Sequence, residues 1–235
     1  MANSLTSSSA GFGKLFSAAA IVAALFAPSA AQARLLDFEN LTGSPVVFAD
    51  DPVILGQTRL TGLGLPGLVG LIGGNEFCSG DIECPVNNNT NYYSALADGY
   101  FMFGNVDNSR FQLRSLDASF IGANNGPYSA TPGVLYLAGF DATGTMVNET
   151  FLGLGGPVNG QFNFANYNLG SFGSSIFNNV LVAAFACNPT CNFDTNQASF
   201  AIDNLDINDV PEPGSFALIG LGLLGLGAFS RRRAV

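Results

Sequence analysis

Residues 134–154 read VLYLAGF-DATG-T-MVNETFLGL, and this stretch decides the fold. Segments 134–140 and 146–154 have strand composition, and Asp141, Ala142, Thr143 and Gly144 separate them, so the stretch reads as two antiparallel strands joined by a tight turn. Gly144 supplies the positive φ that such a turn requires, since a Cβ is penalised there. Working outward, segment 111–121 alternates apolar and polar residues with a slip near Ser115 and Leu116, the mark of a β-bulge. Segment 180–187 is nearly continuously apolar and suits a central strand buried on both faces. Segments 35–39 and 199–207 open and close the series. Nothing between them shows sustained helical periodicity or an internal repeat. The glycine-rich stretch 62–67 has no following helix or lysine, so it reads as an apolar loop and not a phosphate cradle. The expected fold is all-β, an antiparallel jelly-roll-like β-sandwich.

The two ends of the chain do not belong to that fold. A serine-rich leader with Lys14 as its only charge precedes an apolar core, 15–26, and the small-x-small run Ala31, Gln32, Ala33. This reads as a signal-peptide helix, residues 1–33, cut by signal peptidase before Arg34. At the other end Pro211, Glu212 and Pro213 precede an apolar segment, 216–229, and the cluster Arg231, Arg232 and Arg233. As a transmembrane helix that segment spans about 21 Å, short for a bilayer unless flanking residues and snorkelling arginines extend it. The arginines stay cytoplasmic, which leaves the domain 34–209 outside, ahead of a tail 210–235.

Between leader and tail the chain carries four arginines, no lysine and, with Glu212, all seventeen acids. That charge repels phosphate backbones and excludes nucleic acid as a partner. With no histidine anywhere, Ser-His-Asp and Cys-His nucleophile systems are excluded, and without a domain lysine so is a Schiff base. Carboxylate pairs would remain for a glycan-acting enzyme: Asp50 with Asp51, Asp81 with Glu83, and Asp203 with Asp206. Neighbours on a strand point to opposite faces, so Asp50 and Asp51 make a poor couple.

Four cysteines form two close pairs, Cys78 with Cys84 and Cys187 with Cys191. In an exported chain these read as two local disulfides; four thiolates around a metal is the competing reading, with spacings unlike a zinc knuckle. Tyr92 and Tyr93 follow the amide-rich segment 87–91. They either offer rings to a saccharide beside hydrogen-bonding amides or anchor the loop to the core.

Pro-Glu-Pro, a short Leu/Gly membrane segment and a terminal arginine cluster together resemble the PEP-CTERM sorting signal. The resemblance implies export by a Gram-negative bacterium that makes extracellular polysaccharide. It also implies an inner-membrane anchor before processing, recognition and cutting by exosortase, and a destination at the cell surface or in the matrix. On it, Pro211, Glu212 and Pro213 are the recognition motif, 216–229 the transient membrane segment, and Arg231, Arg232 and Arg233 the stop signal.

The opening Asp37-Phe38-Glu39 and closing Phe200-Ala201-Ile202-Asp203-Asn204-Leu205 look like the terminal strands of carbohydrate-binding-module-like jelly rolls. In those the first and last strands pair and their acids hold a structural calcium. By position Glu39 and Asp203 would be its ligands; otherwise Asp203 and Asn204 shape a turn or bulge and Glu39 is solvated. The expectation is a non-catalytic exported protein associated with extracellular polysaccharide. A calcium-stabilised carbohydrate-binding module and a glycan-acting enzyme are the alternatives.

Overall fold

The turn after Phe140 forms as its residues dictate. In the computed structural model Asp141 Oδ1 accepts the backbone N–H groups of Thr143 (2.8 Å) and Thr145 (3.0 Å), and Gly144 takes φ +79°. The flanking strands pair antiparallel with Tyr136 opposite Phe151. The structure describes residues 32–41, 45–78, 81–96, 98–187, 190–191, 193 and 198–211. The expected signal-peptide helix up to Ala31 and the transmembrane segment 216–229 lie outside the described residues. Among those described, no helix is long and apolar enough to cross a membrane.

In chain order the strands are β1 (Gln32–Leu36), β2 (Val46–Phe48), β3 (Pro52–Leu55), β4 (Thr58–Leu63), β5 (Leu68–Gly73), β6 (Ile82–Glu83) and β7 (Tyr92–Ala95). They continue with β8 (Tyr100–Asn105), β9 (Phe111–Phe120), β10 (Gly122–Ala123), β11 (Gly133–Phe140), β12 (Met146–Leu154) and β13 (Ala165–Asn168). A single-turn helix α1 (Gly170–Gly173) precedes β14 (Asn179–Ala186) and β15 (Phe200–Asp209). One sheet has the order β13-β9-β15-β7-β5-β2, with β1 also on β15; the other runs β12-β11-β14-β8-β4-β3; β6 and β10 form a small pair. Every ladder between these strands is antiparallel. The two large sheets bury one core between them. Leu113, Leu116, Ile202 and Ile207 come from one side and Leu60, Phe101, Leu135 and Val182 from the other, all fully buried. Each such side chain contributes about 1.5–3 kcal/mol by leaving water.

The slip in segment 111–121 is a real irregularity, and it has a partner. Asp203 faces Asp117, Asp206 faces Ser115 and Ile207 faces Leu113, so β15 carries one extra residue and β9 then carries one in return. Because side chains alternate with period two, each insertion flips the face that follows. The core set accordingly moves from Phe200 and Ile202 to Leu205 and Ile207 on β15, and from Phe111 and Leu113 to Leu116 and Ala118 on β9.

Three expectations need correction. Segment 180–187 is central, between β11 and β8, but only its alternate residues Val180, Val182, Ala184 and Ala186 pack on the core. Leu181 and Phe185, on the outer face, are only partly covered. The opening strand begins two residues before Arg34, with Gln32 opposite Asp209 and Ala33 opposite Asn208. It also stops at Leu36, because Phe38 adopts φ +57° and turns the chain away, which puts Glu39 in the following turn and not on a strand.

Candidate functional site

The first and last strands do pair, and just before they meet Asp203 of β15 lies opposite Asp117 of β9. Along one edge of β15, Ala201 and Ile202 face Ser94 and Tyr93 of β7; from Leu205 onward that edge belongs to β1. Asp203 and Asn204 occupy the handover. Asn204 takes φ +51°, a conformation asparagine tolerates better than most residues with a Cβ. Asp203 is 1% exposed; its Oδ1 accepts the Asn204 N–H at 2.8 Å and its Oδ2 accepts from Asn88 Nδ2 at 2.7 Å. Asn204 Nδ2 donates to Asp117 Oδ2, and Asn166 Nδ2 to Asp117 Oδ1, both at 2.8 Å. Glu39 Oε1 accepts the Asn91 N–H at 2.7 Å.

Burial pushes the Asp203 carboxyl up to about 6. The bonds from Asn88 and Asn204 oppose the rise, and the nearby charges of Asp117 and Glu39 add to it. Glu39 and Asp117 both act electrostatically on Asp203, and Asp117 was not singled out by the terminal-strand pattern. Their oxygens are hard donors of the kind calcium takes, yet Asp203 is already held by two amide donors. Among the described residues no group of three or more His, Cys, Asp or Glu is placed to hold a metal ion.

Tyr92 and Tyr93 do not form a saccharide platform. Both are fully buried on β7. They point to opposite faces of the strand, and each face is covered. Tyr93 packs between the sheets against Phe101 (ring centroids 4.6 Å apart) and Phe38 (6.4 Å). Tyr92 lies on the other side with Phe164 edge-on at 5.2 Å and donates its hydroxyl to Asn75 Oδ1 at 2.8 Å. Burial raises both phenols well above their ordinary range. The amide loop before them is equally occupied. Asn87 accepts from the Phe164 N–H (2.6 Å) and donates to the Phe164 carbonyl (3.0 Å), imitating a strand partner, while Asn88 holds Thr90 and Asp203. These residues anchor the loop to the core.

Both disulfides form as expected, Cys78–Cys84 and Cys187–Cys191. The members of the remaining acid pairs fall on turns and strands. Asp50 sits in a turn at φ +63°, Glu83 pairs with Gly122 beside the first disulfide, and Asp206 faces Leu35 and Ser115 within the ladder. Of the sorting motif only Pro211 is described; Glu212, Pro213, Arg231, Arg232 and Arg233 lie outside the described residues.

An aromatic cluster that sequence reading passed over lies on the outer face of the six-stranded sheet. Tyr136 on β11 and Phe151 on β12 stand side by side with ring centroids 4.9 Å apart. Phe185 on β14 is 6.3 Å from Tyr136, and Phe193 sits edge-on to Phe151 (5.3 Å) and Phe185 (5.4 Å). Phe151 is 50% exposed and Phe193 48%. Tyr136 donates its hydroxyl to Glu149 Oε2 at 2.8 Å. The signal was present in the first quoted stretch: Tyr136 falls on the outward phase of VLYLAGF, opposite Phe151.

Comparison with known proteins identifies the C-terminal signal and the fold. Residues 209–233 match the PEP-CTERM protein-sorting motif. No curated protein matches the chain. Among solved structures, a DUF4465 family protein from Bacteroides caccae superposes with a TM-score of 0.52 at 10% identity, over 76% of this chain and 100% of that one. A second DUF4465 protein, from Bacteroides ovatus, gives 0.41 at 13% identity over 76% and 99%. At such identities the first likeness shows a shared sandwich and nothing about activity. The sorting motif marks an exported chain that is recognised by exosortase and held by a C-terminal membrane anchor before processing, as is typical of Gram-negative bacteria.

Proposed function

We propose that this is a non-catalytic surface or matrix component that works within extracellular polysaccharide, freed from its leader by signal peptidase and from its anchor by exosortase. The observation that carries the reading is continuity: the sorting motif begins at Asp209, the residue that ends β15, so the sandwich is delivered as one body with no intervening domain. Of the acids that could have served glycan cleavage, Asp203 is buried with both carboxylate oxygens hydrogen-bonded, and the neighbours Asp50 and Asp51 lie exposed beside a turn, which favours binding over chemistry. Replacing Pro211, Glu212 and Pro213 by alanine in the producing bacterium should hold the protein in the membrane fraction. Normal delivery of that variant to the matrix would overturn the reading.

Calcium at Glu39 and Asp203 is part of the same proposal, as a stabiliser of the junction between the first and last strands. The burial of Asp203 and the nearby charges of Asp117 and Glu39 support it, since a divalent cation would neutralise a carboxylate that both disfavour. Its role would be to fix the bulge, with the Asn88 amide yielding its place on Asp203. Titrating calcium into the metal-free protein and following the melt tests this directly.

A further inference from the structure

We infer that the outer face of the six-stranded sheet around Tyr136, Phe151 and Phe185 is a glycan-binding platform, selective for chains whose sugars carry no anionic groups. The inference rests on the polysaccharide-associated reading above and gives that reading a site. A polar outer face would be the expected complement to a buried inner face in a solvated antiparallel sheet. Here neighbouring outward positions on three adjacent strands are apolar instead, with Phe151 facing Tyr136, Tyr136 facing Ala183, and Val134 facing Phe185. The rings are half-exposed or partly covered, so they are neither core nor isolated surface residues.

Three features select the ligand. First, neighbouring rings 4.9–6.3 Å apart make a continuous apolar surface wider than one side chain, and a pyranose presents a matching apolar C–H face. Second, the rim is polar: the Tyr136 hydroxyl and the Glu149 carboxylate are joined at 2.8 Å, and Glu149 keeps acceptor capacity for sugar hydroxyls. Third, Glu149 is the one charged residue in β11, β12 and β14, and no arginine or lysine lies on those strands. Carboxylated or sulfated chains therefore meet a negative rim on an acidic domain, whereas neutral or amine-bearing sugars meet no such repulsion. A lipid surface rich in anionic headgroups is disfavoured on the same ground.

The test uses the exported protein, its Phe151→Ala variant and its Tyr136→Phe variant. Each is assayed by pull-down and calorimetry against cellulose and a soluble β-glucan (neutral), chitosan (cationic) and alginate (anionic). Phe151 is half exposed, so its truncation should leave the melt close to wild type and separate loss of binding from loss of folding. Saturable binding to a neutral or cationic glycan, weakened about tenfold or more in Phe151→Ala and less in Tyr136→Phe, supports the platform. Equal binding by wild type and Phe151→Ala overturns the site while leaving polysaccharide association intact. Preference for alginate overturns the ligand class. Absence of binding to all four overturns both the site and the association. Self-association of the wild type that Phe151→Ala abolishes would assign the face to a second copy of the chain and also overturn the proposal.

Discussion

The side-chain amide of Asn204 donates to Asp117 Oδ2 at 2.8 Å, across the two strands whose registers slip against each other at that point. One residue thereby does two things. Its left-handed backbone, φ +51°, accommodates the extra residue of β15, and its side chain ties the bulge to the neighbouring strand. The tie matters because the bulge moves the inward set of β15 from Ile202 to Leu205, and a slip would turn apolar side chains out of the core.

Separate substitutions should resolve the two roles. Asn204→Gly keeps the left-handed conformation and loses the hydrogen bond; Asn204→Ala loses both. The expected losses are about 1 kcal/mol for glycine and about 2 kcal/mol for alanine, or a melting shift of about 2–4 °C per kcal/mol in a domain of this size. If alanine melts no lower than glycine, backbone conformation is not what selects asparagine.

The pH dependence of stability should bear the mark of Asp203. Its carboxyl is pushed up to about 6 in the fold, above the ordinary aspartate value of about 3.9, so the native state holds the proton more tightly than the unfolded chain does. Its stabilising contribution is complete below the unfolded value and is lost as pH rises through about 6. In chelator, thermal melts should therefore fall between pH 4.5 and pH 7, and Asp203→Asn should flatten that part of the profile. A wild-type profile that rises over this interval contradicts the assignment.

Calcium should act with the opposite pH trend, because it binds the ionised carboxylates. At pH 7.5 millimolar calcium should raise the melting temperature of the wild type, at pH 4.5 hardly at all, and Asp203→Ala should lose the response. An identical melt with calcium and with chelator at pH 7.5 rules out the site.

Local chemistry made much of the framework legible. The 134–154 hairpin followed from alternation and Gly144, the bulge from the slip at Ser115 and Leu116, and both disulfides from cysteine spacing. What escaped reading depends on contacts distant in sequence. Asp203 could be paired with Glu39 by position, but Asn88 and Asp117 reach it from two other segments. Beside five polar residues Tyr92 reads either as exposed or as an anchor, and only Phe164 and Asn75, distant in sequence, show that it is covered. The outward rings of Tyr136 and Phe151 obey strand alternation perfectly well. Only their placement on neighbouring strands, and the arrival of Phe185 and Phe193, turns them into one surface.

The clamp between Arg34 and Asp209 yields the last prediction. Arg34 Nε donates to Asp209 Oδ2 at 3.0 Å, and its other nitrogens donate to Thr58 Oγ1 and Asn105 Oδ1. Asn105 Nδ2 completes the set by donating to Asp209 Oδ1 at 2.9 Å. Thr58 and Asn105 belong to the six-stranded sheet and are buried, whereas Arg34 and Asp209 belong to the other sheet, so this network joins the two layers where the chain enters and leaves the domain. Asp209→Ala leaves a largely buried guanidinium without its counter-charge, while Asn105 Nδ2 keeps Ser109 as acceptor, and should cost about 2–4 kcal/mol. Arg34→Met removes the charge while keeping an apolar stem, and the double variant should recover part of the Asp209→Ala loss, since neither charge is then stranded. A double variant whose loss is simply the sum of the two single losses would mean that the pair is not coupled and that the clamp holds through Thr58 and Asn105 alone.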